Sequence, residues 1–96
     1  MEIKHIKRKD SGLFLAEEAG KQMGYLSYEW NAEAIFSITH TVVEKNFQGR
    51  GVAKALLNEA VSFARENGYK IKPVCSYVEN MFQRNSSYND VNAEKR

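Results

Sequence analysis

FQGRGVAK, Phe47–Lys54, lies where the sequence changes from extended to helical patterning. Its glycines, Gly49 and Gly51, permit tight turns and place no side chain in the path of an approaching ligand. A helix that begins at about Gly51 presents unpaired backbone N–H groups and the positive end of its dipole. Such a loop favours an anion such as phosphate or pyrophosphate, beside which Arg50 and Lys54 add positive charge. A plain strand-to-helix turn is the alternative interpretation of the same residues.

Two other phosphate-binding motifs do not fit this stretch. A P-loop requires G-x-x-x-x-G-K-[ST], and no such string occurs in the chain. A dinucleotide fingerprint requires G-x-G-x-x-G, but Lys54 stands where its third glycine belongs. The segment before the loop also lacks the repeated strand–helix–strand pattern of dinucleotide-binding folds.

The segment after the loop is predicted as an amphipathic helix. Its apolar residues recur at spacings of three and four and share one face: Ala53, Leu56, Leu57, Ala60, Phe63 and Ala64. Gly68 is well placed as the left-handed residue that ends the helix. We expect a strand over Lys70–Tyr77, a short second helix over Val78–Arg84, and a polar, disordered tail over residues 89–96.

The segment before the loop is predicted as four strands joined by short turns: Ile3–Lys7, Leu13–Glu17, Met23–Trp30 and Ala34–Glu44. In the last of these, alternation predicts that Phe36, Ile38, His40 and Val42 share one face. The helix between this strand and the next completes a β-α-β unit, so those two strands should be parallel and joined by a right-handed crossover. The expected fold class is therefore α+β, with an antiparallel four-strand meander, a crossover helix, a parallel fifth strand and a short C-terminal helix.

Length and composition limit the classes of function. The chain has 96 residues, which is enough for a single domain, placed at residues 1–88. Its net charge of +2 is too small to indicate nucleic acid by itself, and no apolar run approaches the ~18 residues of a membrane helix. The single cysteine excludes an internal disulfide, and the histidines lack the ligand spacing of a metal site. We expect a cytoplasmic protein with no metal, no nucleic-acid partner and no membrane partner.

The residues around the glycine loop resemble a known family. Val43–Ala53, followed by paired leucines, resembles the acetyl-CoA-binding motif V-x-P-x-x-[QR]-x-x-G-x-[GA] of the GNAT superfamily of N-acetyltransferases. Gln48, Gly51 and Ala53 fill signature positions, whereas Lys45 stands where the family has proline. The length of the chain and two further stretches resemble the small stand-alone GNAT-like proteins: His40-Thr41-x-Val43 and Pro73-x-Cys75.

This resemblance implies that the protein binds acetyl-CoA and transfers its acetyl group to an amine of an unknown acceptor. Backbone groups of Thr41, Val42 and Val43 would bind the pantetheine arm. The residues that would hold the pyrophosphate are those of the loop and the first turn of the helix: Gln48, Gly49, Arg50, Gly51, Val52, Ala53 and Lys54. Asn80 on the second helix is the candidate for a further pantetheine contact.

A catalytic tyrosine is not found at the position that the family predicts. In the family, a tyrosine seven residues after the helix asparagine commonly protonates the leaving thiolate. Here that position is Ser87, and Tyr88 is one residue away. The short connections between the first strands also leave little of the acceptor region that larger members have.

Cys75 and His40 are the candidate catalytic residues, and the small GNAT-like proteins also carry both. Cys75, expected on the strand opposite the cofactor sulfur, could take the acetyl group as a thiolate activated by His40 and then pass it on. In direct transfer, His40 or Glu44 would instead deprotonate the acceptor amine, and a backbone amide near Val42 would polarise the thioester oxygen. An inert cysteine and a hydrogen-bonded core histidine are the structural alternatives.

Two other functions are open at this point, and so is the oligomeric state. One is a non-catalytic acyl-CoA-binding or interaction module that has kept the cleft and lost the chemistry. The other is a nucleic-acid-binding sheet, on which Tyr25, Tyr28 and Trp30 would have to be exposed for bases to stack on them. Alternating aromatic residues on a strand more often pack against a sheet, so we expect them to be structural.

Overall fold

The computed structural model describes residues 1–95. An antiparallel meander comes first: β1 (Glu2–Lys7), β2 (Ser11–Glu18), β3 (Lys21–Ala32) and β4 (Ile35–Val43). β5 (Lys70–Pro73) then pairs in parallel with β4, and the strands lie in the order β1-β2-β3-β4-β5. The predicted α+β fold, with four antiparallel strands and a parallel fifth, is confirmed.

The crossover between β4 and β5 is a single long helix, α1 (Val52–Asn67). Its apolar stripe is buried against the sheet: Val52, Leu56, Leu57, Ala60, Val61 and Ala64. Gly68 ends the helix in the left-handed conformation, with φ of 72°, and its N–H donates to the carbonyl of Ala64. Within the described residues, neither α1 nor the shorter second helix, α2 (Ser76–Arg84), is long and apolar enough to cross a membrane.

β5 is shorter than the sequence pattern predicts. The strand predicted to run to Tyr77 ends at Pro73, which has no N–H with which to continue a ladder. Cys75 makes the final contact with β4 through its N–H, which donates to the carbonyl of Ile38 at 2.9 Å. α2 begins at Ser76, and Cys75 is its N-cap residue. The prediction that Cys75 lies on a strand is therefore wrong.

A bulge in β4 reverses the faces of its last residues. Ser27 lies opposite His40 and Tyr28 lies opposite Ile38, so Thr39 is an extra residue. The alternation therefore changes phase, and His40 and Val42 lie on the face opposite that of Ile38. The predicted face shared by Phe36, Ile38, His40 and Val42 is wrong for the last two: both are exposed.

The helices cover one face of the sheet. Buried side chains of α1 and α2 join one core with residues from four strands: Phe14, Ala16, Met23, Leu26, Tyr28, Phe36, Ile38 and Ile71. Strand register places Leu13, Ser27, Glu29, His40 and Val42 together on the opposite side, which is termed the open face here. In residues 1–95 no helix packs on the open face.

The C-terminal segment returns to the sheet. The N–H of Ile71 in β5 donates to the carbonyl of Val91 at 2.6 Å, and the N–H of Ala93 donates to the carbonyl of Ile71 at 2.8 Å. Val91 is 2% exposed within the core. The disordered tail predicted for residues 89–96 is therefore wrong for residues 89–95, because the outer edge of β5 gives their backbone a partner. Arg96 lies outside the described residues.

Candidate functional site

β4 and β5 separate and leave a gap between them. β5 pairs only with Ile35–Ile38, and β4 then continues to Val43 without a strand on that side. The N–H of Glu44 donates to the carbonyl of Met23 in β3 at 2.8 Å. Because antiparallel backbone groups alternate in direction, those of Val42 point toward β3 like those of Glu44, and those of Thr41 and Val43 point away from β3 into the gap. The carbonyl of Val43 accepts a hydrogen bond there from the Gln48 side chain at 3.4 Å.

Val42 behaves differently from its two neighbours. It lies opposite Tyr25 in a pair whose backbone groups face each other across β3 and β4. Its side chain lies on the open face and is 38% exposed. The backbone contacts expected from Thr41, Val42 and Val43 are therefore available from Thr41 and Val43, and the amide predicted to polarise a thioester is not that of Val42.

The glycine loop has the conformation that the sequence suggested. Gly49 and Gly51 have φ values of 80° and 77°, in the left-handed region that glycine adopts freely. No atom lies within 4 Å of where a Cβ would be at either position, so a side chain there would occupy the space beside the loop. Gly51 is also the N-cap of α1.

The first turn of α1 presents free donors to this space. The N–H of Ala55 makes the first hydrogen bond of the helix, to the carbonyl of Gly51 at 3.0 Å. No side chain caps the helix, so the N–H groups of Val52, Ala53 and Lys54 have no partner in the helix. These donors, the helix dipole and the Lys54 ammonium together make an environment suited to an anion.

The loop, the end of β4 and the first turn of α2 enclose a cleft of about 180 Å³. It is lined by Val43, Phe47, Gln48, Gly49, Gly51, Val52, Ala53, Lys54 and Tyr77. Sequence reasoning did not assign a role to Phe47 or Tyr77. Phe47 lies within the quoted motif. Tyr77 was predicted to lie on a strand, so nothing in the sequence indicated that it would line the cleft. Burial raises the pKa of Tyr77, which keeps its phenol protonated as a hydrogen-bond donor.

Arg50 does not line the cleft. Its Nη2 lies 2.9 Å from Oε2 of Glu18, at the end of β2, and its guanidinium lies 5.4 Å from the centroid of the Phe47 ring. The hydrogen bond and charge of Arg50 hold the pKa of Glu18 below its usual range. Arg50 thus ties the loop to β2, in place of the phosphate contact that the sequence suggested.

Cys75, Asn80 and Tyr88 take separate positions at the C-terminal side. The Cys75 thiol is half-buried and donates to Oγ1 of Thr41 at 3.6 Å. Asn80 is exposed on α2 and does not line the cleft. The Tyr88 hydroxyl donates to Oδ1 of Asn58 on α1 at 3.0 Å, which makes it a structural contact in place of a catalytic acid.

The structure does not bring His40 and Cys75 together. His40 lies on the open face, where its Nδ1 is 3.2 Å from Oγ1 of Thr39 and 3.4 Å from Oγ of Ser27. The bulge at Thr39 turns His40 to the open face, whereas Thr41, the next residue of the strand, lies on the other face and contacts Cys75. The predicted contact between the two candidate catalytic residues is therefore not formed. Glu44, the other candidate base, is exposed just beyond the end of β4.

A second cavity, of about 310 Å³, lies against the open face. Thr39 and His40 of the bulge line it, together with Arg8, Ser11, Gly12, Leu13, Ser27, Tyr28 and Glu29. β4 therefore borders a cavity on each side, and only the first of them contains the glycine loop. Tyr28 is 1% exposed and packs against Phe14 and Phe36, so it is not available for bases to stack on.

Known proteins share both the sequence pattern and this architecture. The model of the GCN5-related N-acetyl-transferase family matches residues 13–91. A GCN5-like protein from Staphylococcus aureus, assigned as an N-acetyltransferase and solved by NMR, is 30% identical, with a TM-score of 0.75 over 99% of this chain and 90% of that one. A streptothricin acetyltransferase from Bacillus anthracis, solved with acetyl coenzyme A, shares the fold at 19% identity, with a TM-score of 0.63 over 83% of this chain and 48% of that one.

Curated relatives are longer proteins. An uncharacterized N-acetyltransferase of Methanocaldococcus jannaschii is 31% identical over 81 residues, which are 78% of this chain and 36% of that protein. Protein NATD1 of Mus musculus is 33% identical over 60 residues, 62% of this chain and 54% of that protein. The chain thus spans about half the length, or less, of these two relatives. The match to the family model and the full-length likeness to the S. aureus protein show that the chain belongs to the GCN5-related N-acetyltransferase family.

Proposed function

We propose that the protein binds acetyl-CoA in the cleft between the end of β4 and the start of α1 and transfers the acetyl group to an amine. One observation carries the proposal: unpaired backbone donors of Val43 on β4 and of the first turn of α1 border the same cleft, and those of Thr41 face the gap between β4 and β5. Membership of the family supports acetyl transfer in general. The acetyl coenzyme A in the B. anthracis structure supports this donor.

The residues present fit such a ligand. Gly49 and Gly51 leave the space beside the loop open, and a Cβ at either position would intrude on it. The N–H groups of the first turn of α1, with Lys54, would hold the pyrophosphate. The N–H groups of Thr41 and Val43 would pair with the amides of the pantetheine arm as a neighbouring strand does. When bound, acetyl-CoA supplies an acetyl group activated as a thioester.

The geometry favours direct transfer over a covalent acetyl-enzyme. His40 is exposed on the open face, and its Nδ1 is engaged by the hydroxyls of Thr39 and Ser27, which leaves Nε2 to accept a proton from an acceptor amine. Cys75 contacts Thr41, and His40 does not contact it as an activating base would. Cys75 is the nucleophile of the covalent route, which is the second candidate.

The test is turnover, followed in one sample by the masses of the amine and of the intact protein. Acetyl-CoA is incubated with a set of primary amines and either the unchanged protein or Cys75→Ser. An acetylated amine from both proteins, with no protein adduct, supports direct transfer. An acetyl adduct on Cys75, and no product from Cys75→Ser, would establish the covalent route instead. Binding of acetyl-CoA without any acetylated amine would support the non-catalytic binding module.

A further inference from the structure

The cavity on the open face is lined by several polar and charged side chains. Hydroxyls come from Ser11, Ser27 and Thr39, an imidazole from His40, a cation from Arg8 and an anion from Glu29. Its volume of about 310 Å³ lies at the lower end of the range for small-molecule sites. Neither Arg8 nor Glu29 forms an ion pair with another residue of the described chain. Both charges are therefore available to a ligand.

The cavity is next to the gap between β4 and β5. Thr39 and His40 line it, and the residues that follow them on β4 border the cleft of the glycine loop on the other side. Beyond Ile38 no described strand covers this edge of β4. Groups held on opposite sides of the sheet can therefore meet across this uncovered edge of β4.

The charged residues are arranged in a line across the strands. Arg8 lies at the turn after β1, where its N–H donates to the carbonyl of Ser11 at 2.9 Å. Ser11 lies opposite Glu29, and two residues along β3 Ser27 lies opposite His40. Two residues of a strand span about 7 Å, and neighbouring strands are about 5 Å apart. The carboxylate of Glu29 thus comes from the strand between the elements that carry Arg8 and His40.

We propose that this cavity is the acceptor site and that its acceptor is a small amino acid, an amine that also carries a carboxylate. The proposal rests on the proposed function. Glu29 and His40 would face the amine, and Arg8 would bind the carboxylate with its planar guanidinium. A diamine would place its second cation beside Arg8, which opposes it. A simple alkylamine would leave Arg8 without a partner.

The transfer step balances with groups already named. The amine nitrogen forms a bond to the acetyl carbon, the carbon–sulfur bond breaks, and the electron pair leaves with the sulfur of CoA. The amine, bound as an ammonium beside Glu29, loses one proton to Nε2 of His40 before it attacks, and its second proton passes to the departing sulfur, which leaves as the thiol of CoA. The product is an amide with no positive charge, so it loses its attraction to Glu29 and leaves the cavity.

The first test compares γ-aminobutyrate with n-butylamine, which has the same chain length but no carboxylate. Each is titrated into the CoA-saturated protein while backbone amide shifts are followed. We expect γ-aminobutyrate to shift the amide signals of Leu13, Ser27, Glu29 and His40. Its Kd should be at least about tenfold below that of n-butylamine, because its carboxylate adds one charge-assisted contact. Equal affinity, or tighter binding of n-butylamine or putrescine, would overturn the amino-acid assignment.

Charge-removing variants with matched controls locate the contact. Arg8→Gln should lower the preference for γ-aminobutyrate by about tenfold or more, whereas Lys9→Gln, one residue along the same turn, should leave it unchanged. Glu29→Gln should weaken both amines, whereas Glu33→Gln, on the β3–β4 turn, should weaken neither. A preference retained in Arg8→Gln, or lost equally in Lys9→Gln, would show that the carboxylate is not bound where we propose.

The same spectra separate this inference from the proposed function. Suppose that CoA shifts the amide signals of Gln48–Lys54, but γ-aminobutyrate does not shift the amide signals of the cavity residues and is not acetylated when acetyl-CoA replaces CoA. The acceptor assignment is then wrong, and the cofactor proposal stands. If CoA itself does not shift the loop, the proposed function fails and takes this inference with it.

Discussion

Gly51→Asp should weaken acetyl-CoA binding by roughly two orders of magnitude while the protein stays folded. The new carboxylate would start in the open space beside the loop, next to the unpaired N–H groups of α1. As the N-cap residue it would accept hydrogen bonds from those N–H groups, which removes them from the phosphates. It would also bring a negative charge near the pyrophosphate.

The size of the effect follows from that charge. A like charge about 5 Å away, at the effective dielectric of a protein surface, costs on the order of 2–3 kcal/mol. Since about 1.4 kcal/mol is a factor of ten, Kd should rise roughly 30- to 150-fold. The backbone strain of placing an aspartate at a positive φ can be measured separately, because another glycine of the chain has the same conformation. Gly20, at the β2–β3 turn, has φ of 79° and nothing within 4 Å of a Cβ.

Isothermal titration with acetyl-CoA measures this directly for the unchanged protein, Gly51→Asp and Gly20→Asp. Far-ultraviolet circular dichroism and thermal unfolding check that all three are folded. Gly20→Asp should retain the Kd of the unchanged protein, because Gly20 does not line the cleft. A folded Gly51→Asp with unchanged Kd would refute the anion site. An equal loss in both variants would show that the charge acts on the whole molecule, not on the loop.

Three further predictions concern stability and chemistry. Burial among aromatic rings lowers the pKa of His5, so just below pH 6.5 the unfolded chain binds more protons than the folded one. The free energy of unfolding should therefore fall as pH drops through that range. In urea titrations, His5→Gln should remove this dependence on pH. Val91→Ala should destabilise the protein by about 1–2 kcal/mol in the same assay, and an unchanged urea midpoint would contradict the packing of the C-terminal segment. His40→Ala should reduce kcat for acetyl transfer about 100-fold or more with little change in the Kd of acetyl-CoA, whereas a kcat close to that of the unchanged protein would exclude His40 as the base.

Much of the fold is predictable because its signals are local and periodic. The stripe of α1 and the glycine that ends it are visible in consecutive residues, and short turns between extended segments indicate a meander. The glycine loop is predictable for the same reason, since its conformation depends on Gly49 and Gly51 themselves. The proline at position 73 was a signal for the end of β5, and the longer strand prediction overlooked it.

The catalytic geometry is not predictable from local patterns. The bulge at Thr39 leaves alternation intact on both sides, so nothing in the sequence marks where the phase changes, and His40 was assigned to the wrong face. Arg50 finds its partner in Glu18, 32 positions earlier in the chain. Val91 is one apolar residue in a polar run, and its burial depends on the outer edge of β5. In each case the decisive partner is distant in sequence.

The most direct test of the central claim is an acetyl-CoA titration of the uniformly labelled protein, followed by backbone amide shifts. We predict saturable shifts at Val43 and along Gln48–Lys54, which line the cleft, and at Thr41, whose backbone faces the gap between β4 and β5. Shifts confined to Met1–Trp30, or none at all at saturating acetyl-CoA, would contradict the claim and leave the glycine loop as a plain turn between a strand and a helix.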